Sequence, residues 1–388
     1  MPRVAPEPEE LEVATDSRES IDAKSRALTP AATAARLAVI GVVMLIVAVA
    51  FAAVGGWLSP HRLTQDRMMQ AFMEISGAHP GFRHNHAKGL CVSGWFDSSG
   101  AVASLSEAEV LQAGGRAQVI GRFALAGGMP SQADTPAQVR SMALRFLSPG
   151  GSEWRTGINN IPVFPVNSAQ GFYDQLLAAR PDPTTGKPDP AAMQAFLAHH
   201  PETARATALI KARTISSGFA DSTFNSLNAF RFVNAAGVST PVRWAMEPLQ
   251  PVAAEAPAQA ADADKNYLFD GLIAQLQQHP LKWRLLVTIG QPGDPTSDPT
   301  RPWPMERQRV DAGTLTLDAA SSEDGPGACT DINYDPLVLP PGIEASDDPI
   351  LSARSAAYAR SFTLRAEEKA RKAPSAVTAQ EVRAGGKP

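Results

Sequence analysis

An α+β domain with a barrel-type core of strands, carried behind one transmembrane helix, is the fold that this 388-residue sequence predicts. Three observations predict it. Leu37 to Leu58 form 22 consecutive uncharged, mostly apolar positions, and a bilayer core needs about 20 such residues as a helix. Short runs with strand character recur at Gly89–Phe96, Gln118–Leu125, Ser141–Leu147, Leu227–Asn234 and Trp283–Ile289. Helical patterns are inserted at Ala191–His199, Glu202–Ile210 and Asn266–Gln278. Strands with inserted helices suit an α+β core.

Residues 1–35 are rich in Glu, Pro, Ala and Ser, which predicts a disordered cytoplasmic tail. Residues 36–58 are the anchor. A cleaved signal peptide has an apolar region of about 7–15 residues behind a short basic start. Here 36 residues precede a longer run, which favours an uncleaved anchor. Arg18, Lys24, Arg26 and Arg36 lie before it, and Arg62 and Arg67 after it. The positive-inside rule then leaves the N-terminus in the cytoplasm and the main domain, 59–371, on the periplasmic side of the inner membrane. Within that domain, Pro181–Pro190 is turn-rich and Pro251–Asp264 is rich in Ala and Pro. The chain from Ala366 is charged and small-residue-rich, so 372–388 reads as a disordered tail. The net charge is −4 with no basic stripe, which excludes a nucleic-acid-binding role. Two distant cysteines, Cys91 and Cys329, do not make a zinc site.

Ser346-Asp-Asp-Pro349 supplies a helix cap with Pro in the first turn. The helix it opens carries Arg354-Ser-Ala-Ala-Tyr358. An i,i+4 pair shares one helix face, so a guanidinium stands beside a phenol oxygen. Ionising a free phenol at pH 7 costs roughly 4 kcal/mol. A fixed cation offsets part of that, and a ferric ion bonded to the oxygen offsets the rest. Among the four tyrosines, Tyr358 is the strong ligand candidate; neither Tyr267 nor Tyr334 has Arg at i−4.

Upstream stand Pro80-Gly-Phe-Arg83-His84-Asn85-His86-Ala87-Lys88-Gly89, Gly121-Arg122-Phe123, Arg140-Ser-Met-Ala-Leu-Arg145-Phe146 and Gly157-Ile-Asn159-Asn160-Ile-Pro162. With Pro340-Pro-Gly-Ile-Glu-Ala-Ser346 and the Arg-x-x-x-Tyr helix they follow one another in the order found in the haem catalases. The chain therefore resembles that family, and most of all its reduced branch, the catalase-related peroxidases. The resemblance implies an antiparallel eight-stranded barrel with inserted and C-terminal helices, and a haem, most simply b-type.

It implies site residues too. His86 matches the distal acid–base histidine, and imidazole suits proton transfer in both directions near neutral pH. Asn159 matches the distal asparagine, whose amide can hydrogen-bond a peroxide oxygen. Phe172 falls where the family stacks an aromatic ring on the haem. Arg83 and Arg122 fall on propionate-binding positions, where a forked guanidinium suits a carboxylate. Arg354 and Tyr358 take the proximal role, with Tyr358 as axial iron ligand. His84 has no catalytic role in the family, and Asn160 reads as a turn residue. Cys91 and the strand-like Thr330–Tyr334 after Cys329 fall on the first and last strands of such a barrel. The two sulfurs are either a bridge or a pair of buried thiols.

The departures bear on the activity. Ala124 stands where a catalase has a serine within reach of the distal histidine. Gln138 replaces a channel aspartate, Asn85 an apolar channel residue, and Asn228 a proximal-side histidine. The arm and domain that interlock catalase tetramers have no counterpart in the sequence. These changes favour a peroxidase that takes hydrogen peroxide or an organic hydroperoxide and a small organic reductant. A true catalase is the alternative within the class, and a non-enzymatic haem-binding or sensing module the alternative outside it.

Overall fold

Strand alternation decides where everything else in this molecule goes, because successive side chains point to opposite faces of a sheet. The computed structural model describes residues 29–55, 57–58, 62–182, 184–251, 265–325 and 329–385. The N-terminal tail and most of the Ala/Pro stretch lie outside the described residues. The chain forms two units, Met1–Arg62 and Leu63–Pro388.

In the first unit, α1 (Pro30–Val54) begins seven residues before the apolar run, because Thr29 caps it and Pro30 opens its first turn. Its 25 residues span roughly 37 Å at 1.5 Å per residue, long enough for a bilayer core. None of its residues is buried.

The second unit contains β1 (Gly89–Ser98), β2 (Arg116–Leu125), β3 (Arg140–Leu147), β4 (Glu153–Asn159), β5 (Phe224–Asn225), β6 (Phe230–Val233), β7 (Ser239–Pro248), β8 (Leu281–Ile289), β9 (Arg309–Ser321) and β10 (Ile343–Ala345). Its helices are α2 (Gln65–Ser76), α3 (Ala169–Ala178), α4 (Pro190–His199), α5 (Pro201–Ala212), α6 (Tyr267–Gln278), α7 (Pro349–Glu368) and α8 (Ala379–Ala384). Antiparallel pairing runs β1–β2–β3–β4–β5–β7–β8–β9 and returns to β1, an eight-stranded closed barrel. β6 shares with β5 one edge of β7, and β10 extends that edge. The expected strand Leu227–Asn234 is therefore one half of an interrupted strand. It starts late because Leu227 takes a left-handed conformation, φ 63°.

The inward phase is aromatic. Phe146 stacks on Trp154 at 4.7 Å, Trp154 meets Trp244 edge-on at 5.1 Å, and Trp244 stacks on Phe230 at 4.3 Å. The indole of Trp244 donates to Thr156 Oγ1 at 3.1 Å. Burial of each such ring stabilises by about 1.5–3 kcal/mol over exposure. The outward phase of β2, β3 and β4 lines up across the strands in rows. One row is Ala124–Ser141–Asn159 and the next is Arg122–Ala143–Gly157. Side chains from α2, α3 and α7 join these rows in lining one cavity.

Two expectations need correction. Thr330–Tyr334 is an irregular connection, not a strand, because the barrel is closed by β9, which ends at Ser321. Residues 372–385 are not a loose tail; 386–388 lie outside the described residues. Val377 is 1% exposed, Asn266 donates to Ala376 O, and Ser322 donates to Val377 O. Thr378 and Glu381 form a capping box that starts α8.

Candidate active site

Helix α7 starts at Asp348, whose carboxylate accepts from Ile350 N–H at 2.9 Å. That start sets which residues face the barrel. Ile350, Arg354, Tyr358, Ser361 and Arg365 fall on one side at i+4, i+4, i+3 and i+4 steps, and all line the cavity. Arg354 Nη1 donates to Asn228 Oδ1 at 2.6 Å, and Nη2 donates to Gly157 O at 2.9 Å and reaches Tyr358 Oη at 3.4 Å. Asn228 in turn donates to Asp348 Oδ2 at 2.7 Å. Burial pushes the Asp348 carboxyl up, and the Asn228 amide pulls it back. Asn228 thus links a buried carboxyl to the guanidinium beside the phenol.

Gly157 makes room for this pair. A Cβ there would lie 3.1 Å from Arg354 Nη2 and 3.5 Å from Tyr358 Oη. Gly157→Val is expected to displace the guanidinium and to cost about 1–3 kcal/mol by overpacking. Denaturant titration against the parent chain checks this, and an unchanged midpoint would refute it.

His86 lies in the same cavity in a left-handed conformation, φ 57°. Asn85 helps to hold it there: its Oδ1 accepts from His86 N–H at 3.0 Å and from Gly127 N–H at 2.9 Å. Asn85 is therefore a tie between two loops as well as a polar cavity wall. His86 Nδ1 is buried and makes no well-formed hydrogen bond, and the Ala124 methyl offers none. Burial, reinforced by Arg122 and Arg354, pushes the imidazole down to about 3, so the ring is neutral at pH 7.

Asn159 ends β4. Its Oδ1 accepts from Ser141 Oγ at 2.7 Å, which leaves the amide NH₂ as the free end. Asn160 Oδ1 accepts from Arg140 N–H at 2.7 Å, which ties the end of β4 to the start of β3. Gln138 Nε2 donates to Ala126 O. Phe172, on α3, lines the cavity between Phe72 and Phe164, with ring centroids 6.0 and 5.8 Å away.

The third part of the cavity is cationic. Arg122 is 2% exposed and meets Glu323 through Nε at 2.6 Å and Nη2 at 3.0 Å. Burial raises the Glu323 carboxyl, but Arg122 and Arg83 outweigh it and hold the group near 2. Arg83 Nη2 donates to Cys329 O and Ile332 O, each at 3.2 Å, and Arg365 Nη1 donates to Thr330 O at 2.8 Å. Burial lowers both guanidiniums, Arg83 to about 9 and Arg365 to about 10. Three cations against one carboxylate leave two positive charges in excess. Cys91 and Cys329 form a disulfide beside this cluster.

The sequence model of the catalase family matches residues 63–383. The chain belongs to the catalase family. A protein of that family from Synechococcus elongatus, named catalase-related peroxidase, is 39% identical over 320 residues, 82% of this chain and 92% of that protein. One of the same name from Mycolicibacterium paratuberculosis is 34% identical over 307 residues, 78% and 95% of the two chains. A catalase from Pseudomonas aeruginosa is 27% identical over 285 residues, but these cover only 55% of it. Among solved structures, catalase A from Saccharomyces cerevisiae superposes with a TM-score of 0.66 at 20% identity, over 74% of this chain and 62% of that one. That likeness shows the fold alone.

Catalase-family membership implies a haem cofactor, and the residues present fit one. The cavity, about 290 Å³, is near the lower end of small-molecule sites. Its walls are largely apolar, and the two excess charges match a pair of propionates. Sequence reading missed Ser141, Glu323 and Arg365. Arg365 carried a signal: it lies seven residues beyond Tyr358, on the same helix face. Ser141 shares its outward strand phase with Ala143, opposite Asn159. Glu323 carried none.

Proposed function

We propose that this chain is a haem-dependent peroxidase that uses hydrogen peroxide or an organic hydroperoxide to oxidise a small organic donor. The single observation that carries the reading is one cavity lined by a neutral His86, an oriented Asn159 and the Arg354–Tyr358 pair. Haem b, when bound, supplies the redox-active iron. Tyr358 would offer its oxygen to the iron, with Arg354 holding positive charge beside it. Phe172 would pack against the ring, and Arg83, Arg122 and Arg365 would hold the carboxylates. His86 takes a proton from the peroxide and returns it to the departing oxygen, which leaves as water or an alcohol. The Asn159 NH₂ donates to the peroxide as charge develops. The length, apolarity and exposure of α1 support a membrane anchor, with the catalytic domain on the extracytoplasmic side.

The methyl of Ala124, which offers His86 no hydroxyl partner, favours peroxidase over catalase turnover. A ring without an orienting side-chain bond is a less disciplined base for fast disproportionation. Oxygen released per peroxide consumed is expected to fall well below about one-half, with consumption rising as an aromatic donor is added. Ala124→Ser restores a partner of about 1 kcal/mol and is expected to raise the oxygen yield about fivefold. A ratio near one-half that ignores the donor would mean a true catalase.

A further inference from the structure

After β9 the described residues 322–325 and 329–342 form no helix or strand, and this connection serves the cationic end of the cavity. Its main-chain oxygens hold two guanidiniums. Cys329 O and Ile332 O accept from Arg83, and Thr330 O accepts from Arg365. Its Glu323 takes the fork of Arg122. The Tyr334 ring lies under Arg83, 5.7 Å from the guanidinium carbon. A covalent tie fixes this stretch to the barrel: Cys329 is bonded to Cys91, which pairs with Arg122 in the register of β1 and β2. The bridge therefore joins, across 238 residues, the strand beside one cavity arginine to the acceptors of the other two.

We propose that the Cys91–Cys329 bridge is a positioning element for the cofactor's carboxylates. It holds Arg83 and Arg365 in place through the oxygens of residues 329, 330 and 332. The carboxylate end of the cavity is complete only in the oxidised chain. This rests on the haem reading above. Long guanidinium stems lose rotamer entropy when fixed. An irregular connection holds them only as far as it is itself held: Arg155 ties it to β4 at Asn333 O and Val338 O, and the disulfide is its covalent tie, at the residue whose oxygen meets Arg83. When the bridge opens, a phosphine reductant gives two electrons to the sulfurs, two protons come from water, and the products are two thiols and a phosphine oxide. The carbonyls then move with the freed connection.

The test is haem titration of the full-length apoprotein in detergent, followed by the haem absorbance band. Oxidised chain, phosphine-reduced chain and the Cys91→Ser/Cys329→Ser double variant are compared, each shown to be folded by circular dichroism. Reduction and the double substitution are both expected to weaken haem binding about tenfold. Arg365→Gln separates positioning from plain stabilisation. It should cost about tenfold in the oxidised chain and much less in the reduced chain, because the arginine is no longer held. Equal affinity with and without the bridge, or an equal Arg365→Gln loss in both states, would overturn the proposal. No haem uptake by the oxidised parent chain would overturn the cofactor reading, and the proposal with it.

Discussion

A Tyr358→Phe chain is expected to fold but to take up haem more than about 100-fold more weakly than the parent. Losing even an outer partner of a metal ligand costs about 10–100-fold, and this change removes the oxygen proposed as the ligand itself. The ring's packing is retained, so the barrel has no reason to unfold. Arg354 keeps its hydrogen bonds to Asn228 and Gly157 in the variant, since neither passes through the phenol. Its charge then faces the cavity without the oxygen it stood beside. Absorbance titration of the apoprotein measures the effect. A variant that holds haem as tightly as the parent and turns over at full rate would remove Tyr358 from the axial position. The control is Asn228→Ala, which leaves the phenol in place but unlinks Arg354 from Asp348. Its expected signature is a shifted haem spectrum with haem still bound.

The legible parts of this site are those built from neighbours in sequence. The Asp348 cap and the Arg354–Tyr358 spacing each depend on residues within four or five positions. Helical and strand periods carry that information directly. Arg365 was legible in the same way. Groups whose partner lies far along the chain were not. Glu323 meets Arg122 across 201 residues, and no local pattern announces it. Cys91 and Cys329 are separated by 238 residues, and spacing alone does not distinguish a bridge from two thiols. The docked tail shows a third case. Val377 and Val382 are the two valines of a segment otherwise made of charged, polar and small residues, and the anchoring of Val377 depends on Ser322 and Asn266, far upstream. The strands at β4, β7 and β9 escaped notice because polar or small residues occupy their outward phase and dilute the apolar alternation. Glu153-Trp-Arg-Thr-Gly-Ile-Asn159 has only two strongly apolar positions, yet it carries both Gly157 and Asn159.

His86→Asn is expected to slow peroxide cleavage by about 10²–10⁴-fold while haem stays bound. Asn is the substitution of choice because it tolerates positive φ, so the loop that Asn85 ties is not strained. The amide cannot carry a proton between the two peroxide oxygens, and that is the function removed. Stopped-flow peroxide mixing measures the rate, and a loss below tenfold would assign the proton transfer elsewhere. The pH behaviour gives an independent readout. The folded imidazole sits near 3 against about 6.5 in the unfolded chain, so below pH 6.5 the unfolded state binds the extra proton. Stability from this group is fully present above about pH 6.5 and is lost as pH falls toward 3. The neutral base persists throughout pH 5–8, so His86 should impose no break on the rate in that range. In the His86→Asn chain the fall in stability from pH 6.5 to pH 4 should be shallower than in the parent, as read by denaturant midpoints. An unchanged slope would mean that the ring is not held neutral by burial.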